Sequence, residues 1–179
     1  MNFNFSPVFT DSVISCTEVS GNLGDEYVMK AYTDIRKEDH AQITIFVEGT
    51  IVAQTLMPDG SWGNRGREDG IRPAGKTAHE IARENGLTVI LAGTYRFLAL
   101  TDKVRYFCIN RRDFGSLDPE TIRLNSGETY TAPIGRYTFV ASGSGTINGK
   151  PFSAPMFSQA EKEESVIVST DAIFGVSFA

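Results

Sequence analysis

Ile71-Arg72-Pro73-Ala74-Gly75-Lys76-Thr77 has a counterpart about fifty residues further on, Ile122-Arg123-Leu124-Asn125-Ser126-Gly127-Glu128-Thr129. Both run Ile-Arg, a short link, then glycine, a charged residue and threonine. Downstream, Leu87-Thr88-Val89-Ile90-Leu91-Ala92-Gly93 lies beside Tyr137-Thr138-Phe139-Val140-Ala141-Ser142-Gly143. Each is an apolar run that ends at a glycine and leads into another strand. Self-similarity at this period marks a duplicated supersecondary unit. A glycine at the turn supplies positive φ, and the β-branched residues on either side pack inward. The second copy continues through Gly145 to Lys150, where Asn148-Gly149 predicts a type I′ hairpin turn.

Outward from the repeat, strand signals dominate. Asn2 to Phe5 alternates polar and aromatic, and Val13 to Val19 is β-branched up to the turn cluster Gly21-Asn22-Leu23-Gly24-Asp25. Ile43, Ile45 and Val47 alternate with Thr44, Phe46 and Glu48; Gly49-Thr50 then leads into Ile51 to Met57, which reads as a hairpin. Pro58 to Gly70 is glycine-rich and aperiodic and holds the only tryptophan, Trp62, either an interface contact or a residue folded onto the core edge. Tyr27 to Ile35 fits a short helix or a strand. Thr77 to Asn85 carries helix formers and stops at Asn85-Gly86. Ser165 to Ser169 and Ile173 to Phe178 supply two closing strands, so the C-terminus is expected to be docked. The fold class is therefore mostly β, a sandwich or barrel with an internally repeated hairpin unit and at most one or two short helices. One domain is expected over residues 1–179: N-terminal strands and the glycine-rich loop over 1–70, the duplicated unit over 71–179.

Pro73-Ala74-Gly75-Lys76-Thr77-Ala78-His79-Glu80, then Glu84 and a strand ending at Gly93, resembles the first motif of cupins. The resemblance covers residues 71 to about 178 and implies a jelly-roll barrel. His79 matches the motif's first histidine. Ile81 stands where the second would be, Glu84 is too far from Gly93, and no histidine follows His79. Metal-dependent cupins gather several histidines and a carboxylate, and imidazole suits first-row transition metals. This chain has only His40 and His79. No metal or other cofactor is expected; a metal, if bound, would fall to His40, His79 and Glu84.

The chain has 179 residues, 41% hydrophobic and 22% charged, ordinary values for a globular protein. A net charge of −5 and a pI of about 5.1 argue against a nucleic-acid surface; the pairs Arg65/Arg67 and Arg111/Arg112 are not a basic stripe. No apolar run reaches membrane-span length, and the first residues lack the pattern of a signal peptide. An intracellular or virion location is expected. Cys16 and Cys108 show no metal or redox spacing and are expected to be reduced and buried, though their spacing leaves a disulfide open.

No nucleophile, metalloprotease or phosphate-loop motif is present. The absence of a catalytic set and the strand-rich repeat point to a non-enzymatic structural or assembly protein. In overall character the chain resembles small β-rich accessory proteins of tailed-phage virions, in capsid or tail. Its expected partners are copies of itself or other structural proteins, contacted through Phe3, Phe5 and Trp62, with Phe3-Asn4-Phe5 pairing to a partner's sheet edge. The alternative is a divergent cupin-fold enzyme or small-ligand binder. Tyr95, Arg96, Arg136 and Tyr137 then occupy equivalent strand positions and contact an anionic or sugar-like ligand.

Overall fold

Strand after strand follows from the alternating and β-branched runs, and the computed structural model describes residues 2–31, 35–36, 42–64, 70–84, 89–90, 93–113 and 115–179. The expectations placed on His40, on the helix stop Asn85-Gly86 and on Arg65 and Arg67 lie outside these residues. Contacts divide the chain into two compact units, Met1–Gly115 and Ser116–Ala179. The strands between 71 and 115 thus pair with those of the first seventy residues.

In chain order the first unit holds β1 (Asn4–Thr10), β2 (Ile14–Gly21), β3 (Glu26–Ala31), β4 (Ile35–Arg36), β5 (Gln42–Glu48) and β6 (Thr50–Leu56). There follow β7 (Trp62–Asn64), β8 (Ile71–Pro73), β9 (Lys76–Thr77), α1 (Ala78–Glu84), β10 (Val89–Ile90), β11 (Gly93–Ala99) and β12 (Val104–Arg111). One sheet has the order β1-β2-β12-β5-β9, a second β3-β11-β6-β7 with β8 also on β6, and β4 pairs with β10. Both five-stranded sheets carry the same four chain runs in the same order: β2/β3, β12/β11, β5/β6 and β9/β8. Each run turns a corner from one sheet to the other. Tyr27 to Ile35, open between helix and strand, begins in β3.

The corner explains a difference from the sequence reading. Gly49 does not close a hairpin, because β5 pairs with β12 while β6 pairs with β11. Its φ of 75° redirects the chain between sheets, and a Cβ there would lie 2.0 Å from the Lys103 carbonyl oxygen. The neighbouring runs are tied to this corner: Leu100 N–H donates to Thr50 O at 2.9 Å, Ala74 N–H to Gly49 O at 3.1 Å, and Thr50 N–H to Thr101 Oγ1 at 3.0 Å. The core below joins Phe3, Val19, Phe46, Ile51, Ile81, Ala99, Val104 and Tyr106 from both sheets and α1. Helix α1 forms where its residues predict, started by Thr77, whose Oγ1 accepts from Glu80 N–H at 3.2 Å and donates to Glu80 Oε1 at 3.2 Å.

The second unit is a six-stranded sheet built from β13 (Glu120–Leu124), β14 (Thr129–Ala132), β15 (Tyr137–Ile147), β16 (Lys150–Ser153), β17 (Met156–Gln159) and β18 (Ser165–Phe178). The two expected closing strands are one continuous β18, and Phe178 at its end is fully buried. β15 lies along it with irregular register between Val140 and Gly145. There a Cβ on Gly143 would meet the Ala172 carbonyl oxygen at 2.2 Å, so only glycine lets the two backbones approach so closely. Asn148 and Gly149 have φ of 48° and 82°, as a type I′ turn requires, and join β15 to β16.

The repeat is visible in its first half. β8–turn–β9 and β13–turn–β14 are both strand–turn–strand, with Gly75 at φ 83° and Gly127 at φ 85°. Their facing is shifted by one residue: Arg72 is buried in the first copy, Ile122 in the second. The partners differ as well, since β8 and β9 add to two strands in different sheets whereas β13 and β14 add to opposite ends of β18.

Candidate functional site

The four residues expected at a ligand are engaged in packing, one pair in each unit. Arg96 donates from Nε to Gln54 Oε1 at 2.8 Å and from Nη1 to Glu26 Oε2 at 2.9 Å, with its guanidinium 4.6 Å from the centre of the Trp62 ring. Trp62 therefore lies half-buried over a cross-strand polar ladder. Tyr95, on the opposite face of β11, is buried beside Phe97. In the second unit Arg136 donates to Ser177 Oγ and O, both at 3.0 Å, and to Asp118 O at 2.8 Å. Tyr137 is stacked on Phe178 with ring centres 5.3 Å apart. Both arginines tie strands together.

Phe3 sits in the core, edge-on to Tyr106 at 5.9 Å, rather than at the surface where an interface would need it. Phe5 is 49% exposed on edge strand β1 and packs against Tyr27. His79 lies on α1 with its Nδ1 buried, and Glu84 is held by Lys76 Nζ at 2.6 Å. Among the described residues no three His, Cys, Asp or Glu side chains come together as a metal site would require. Cys16 and Cys108 are free thiols. β2 pairs with β12 so that Cys16 faces Ile109 and Cys108 faces Thr17; adjacent positions on a strand point to opposite faces, which keeps the two sulfurs apart.

A different set of polar side chains is only loosely engaged. At one end of the first sheet, Asn4 pairs with Ser20, Ser20 with Arg105, and Arg105 with Glu48, a single cross-strand row over β1, β2, β12 and β5. The row lines a shallow cleft completed by Asn22 and Lys103. Gly21 forms part of its floor, where a Cβ would strike the Phe3 ring at 2.3 Å. The nearest opposite charge to Arg105 is Glu18, whose Oε2 is 3.9 Å from Nη1, too far for a hydrogen bond. Arg105 Nε is buried and meets no protein acceptor, while the guanidinium lies 5.7 Å from the Phe107 ring centre. Lys103 and Glu48 are exposed, and among the described residues neither forms an ion pair. Leaving a buried donor unmet costs about 1–3 kcal/mol. Sequence reading missed these residues. The available signal was the alternation Lys103-Val104-Arg105-Tyr106, which puts two cations on one face of a strand and two apolar residues on the other.

No protein-family model matches the chain, and no curated protein matches it. Solved structures do. HutD from Pseudomonas fluorescens SBW25 (formate condition) superposes with a TM-score of 0.60 at 6% identity, over 99% of this chain and 90% of that one. A cupin 2 conserved barrel domain protein from Leptotrichia buccalis gives 0.53 at 12% identity, over 99% and 88%. Lactobacillus farciminis oxalate decarboxylase in a formate complex gives 0.54 at 8% identity, over 94% and 77%. At these identities the likeness establishes the fold: the chain is a cupin-like β protein, as the motif around His79 implies. The expectation of a virion assembly component is overturned. These neighbours share a cupin-like fold, and an enzyme is among them. No helix among the described residues is long and apolar enough to cross a membrane.

Proposed function

We propose that this protein binds a small organic anion, a carboxylate, in the cleft at the end of the first sheet. Arg105 and Lys103 are the anion-binding groups, and Asn4 and Ser20 supply neutral hydrogen bonds. One observation carries the reading: Arg105, which helps line the cleft, keeps a buried Nε–H without a protein acceptor. In Arg96 and Arg136, by contrast, Nε and at least one other nitrogen already donate within their own units. A guanidinium offers forked donors that match a carboxylate, and charge-assisted bonds of this kind are roughly twice as strong as neutral ones. One of the neighbours, the oxalate decarboxylase, is a formate complex, which supports a small carboxylate as the ligand class.

The test is titration of the protein with formate, acetate, propionate and oxalate, followed by NMR chemical shifts and calorimetry. Saturable binding is expected, with perturbed amides in β2, β12 and the Leu100–Val104 corner. Arg105→Ala should abolish it and Arg105→Lys should weaken it. Equal binding by the Arg105→Ala protein, or no binding by the unaltered one, ends the proposal.

A further inference from the structure

We infer that the preferred ligand carries an ammonium group beside its carboxylate, so that the cleft selects an amino acid over a plain carboxylic acid. The inference rests on the anion-binding reading and concerns Glu48. Glu48 and Arg105 are directly opposed on neighbouring strands, the arrangement in which opposite charges normally pair across a sheet. They form no ion pair here. The guanidinium is turned toward Glu18 and Phe107, and the Glu48 carboxylate remains exposed at the edge of the cleft. Directly opposed residues have Cα atoms about 4.5–5.5 Å apart. The row thus sets a cation and an anion on neighbouring strands, with a ligand's carboxylate assigned to Arg105 and Lys103 and its ammonium to Glu48.

The surroundings agree with this division. Two cations, Lys103 and Arg105, line the cleft, and among the described residues Glu48 is the only acidic side chain that does so. A plain carboxylate bound at Arg105 sits beside Glu48 and is repelled by it, while an ammonium group converts that repulsion into attraction. Asn4 and Ser20, between the row's outer edge and Arg105, accept or donate to either end. The irregular register between Arg105 and Tyr106 belongs to the same design. It leaves Val47 without a partner and brings Glu48, rather than Val47, opposite Arg105.

The experiment compares three ligands of equal length, propionate, lactate and L-alanine, on the unaltered protein and on Glu48→Gln, by NMR titration. Glu48 is exposed, and an unchanged thermal unfolding midpoint verifies that its replacement leaves the fold intact. Alanine is expected to bind at least about tenfold tighter than propionate, a difference of about 1.4 kcal/mol. Glu48→Gln should tighten propionate, weaken alanine and bring their ratio near one. Propionate binding as tightly as alanine, or a ratio that Glu48→Gln leaves unchanged, overturns the inference. If Arg105→Ala still abolishes propionate binding in that case, the anion site stands without it. Failure of all three ligands to bind refutes both.

Discussion

Replacing Gly49 by alanine tests whether the corner between the two sheets of the first unit is set by backbone geometry. Gly49 has φ of 75°, a left-handed conformation that costs a residue with a Cβ roughly 1–2 kcal/mol. The added carbon would also lie 2.0 Å from Lys103 O and 2.5 Å from Thr101 Oγ1, where ordinary contact begins at 3.4 Å. The Leu100–Val104 corner must therefore retreat by more than an ångström. That retreat breaks the Thr50 N–H to Thr101 Oγ1 bond and the Thr101 Oγ1 to Lys103 O bond, both 3.0 Å. At about 1 kcal/mol for each, the total loss is about 3–4 kcal/mol. Gly75 is the matched control. Its φ is 83° and nothing lies within 4 Å of the place a methyl would take, so Gly75→Ala should cost only the conformational part, about 1–2 kcal/mol. Urea unfolding followed by Trp62 fluorescence reports on this unit, because Trp62 is the only tryptophan. If Gly49→Ala loses no more stability than Gly75→Ala, the steric account of the corner is refuted. The same substitution displaces Lys103 beside the cleft, so carboxylate binding should weaken in parallel.

Other consequences follow from the packing. Arg136→Ala removes the bonds from its guanidinium to Ser177 and Asp118 and should destabilise the second unit by about 2–3 kcal/mol in circular-dichroism melts, without affecting carboxylate binding. Arg136→Lys should not restore stability, because a single ammonium cannot reproduce the forked contacts. Burial raises the Cys16 thiol to about 12, and burial, partly offset by a hydrogen bond with Thr44, raises Cys108 to about 11. Both thiols should therefore resist a disulfide-exchange reagent at neutral pH and react at once in denaturant; rapid reaction of the folded protein contradicts this placement. These protonated thiols contribute stability in full below about pH 9, and it is lost as pH rises from there toward 12 for Cys16, at up to ~1.4 kcal/mol per pH unit. Cys16→Ala should flatten that alkaline slope in urea titrations.

Much of the fold was legible because its signals are local. Thr77 and Glu80 are three residues apart and cap the helix that follows them. Asn148-Gly149 accepts positive φ cheaply and turns β15 into β16. Alternation in Phe174, Val176 and Phe178 marks a docked last strand, and all three are buried. Gly49 was misread for a physical reason. A glycine between two apolar runs is equally compatible with a hairpin and with a corner, and the choice depends on which distant strands hydrogen-bond to each run. For Tyr95, Arg96, Arg136 and Tyr137, equivalent places in a repeat suggest equivalent roles, but which of their donors and rings are engaged depends on neighbours across the sheets.

By itself the amino-acid sequence determined that the chain is strand-rich, that it carries a duplicated strand–turn–strand unit of cupin-like rhythm, and where its tightest turns and one helix lie. These features depend on φ preferences, side-chain periodicity and contacts within a few residues. Only the tertiary structure decided which polar groups remain available. Asn4, Ser20, Glu48 and Arg105 come from four separate stretches and share one row because β1, β2, β12 and β5 adopt a particular register. A shift of one residue in any of those pairings would turn the side chains to the other face and dissolve the cleft.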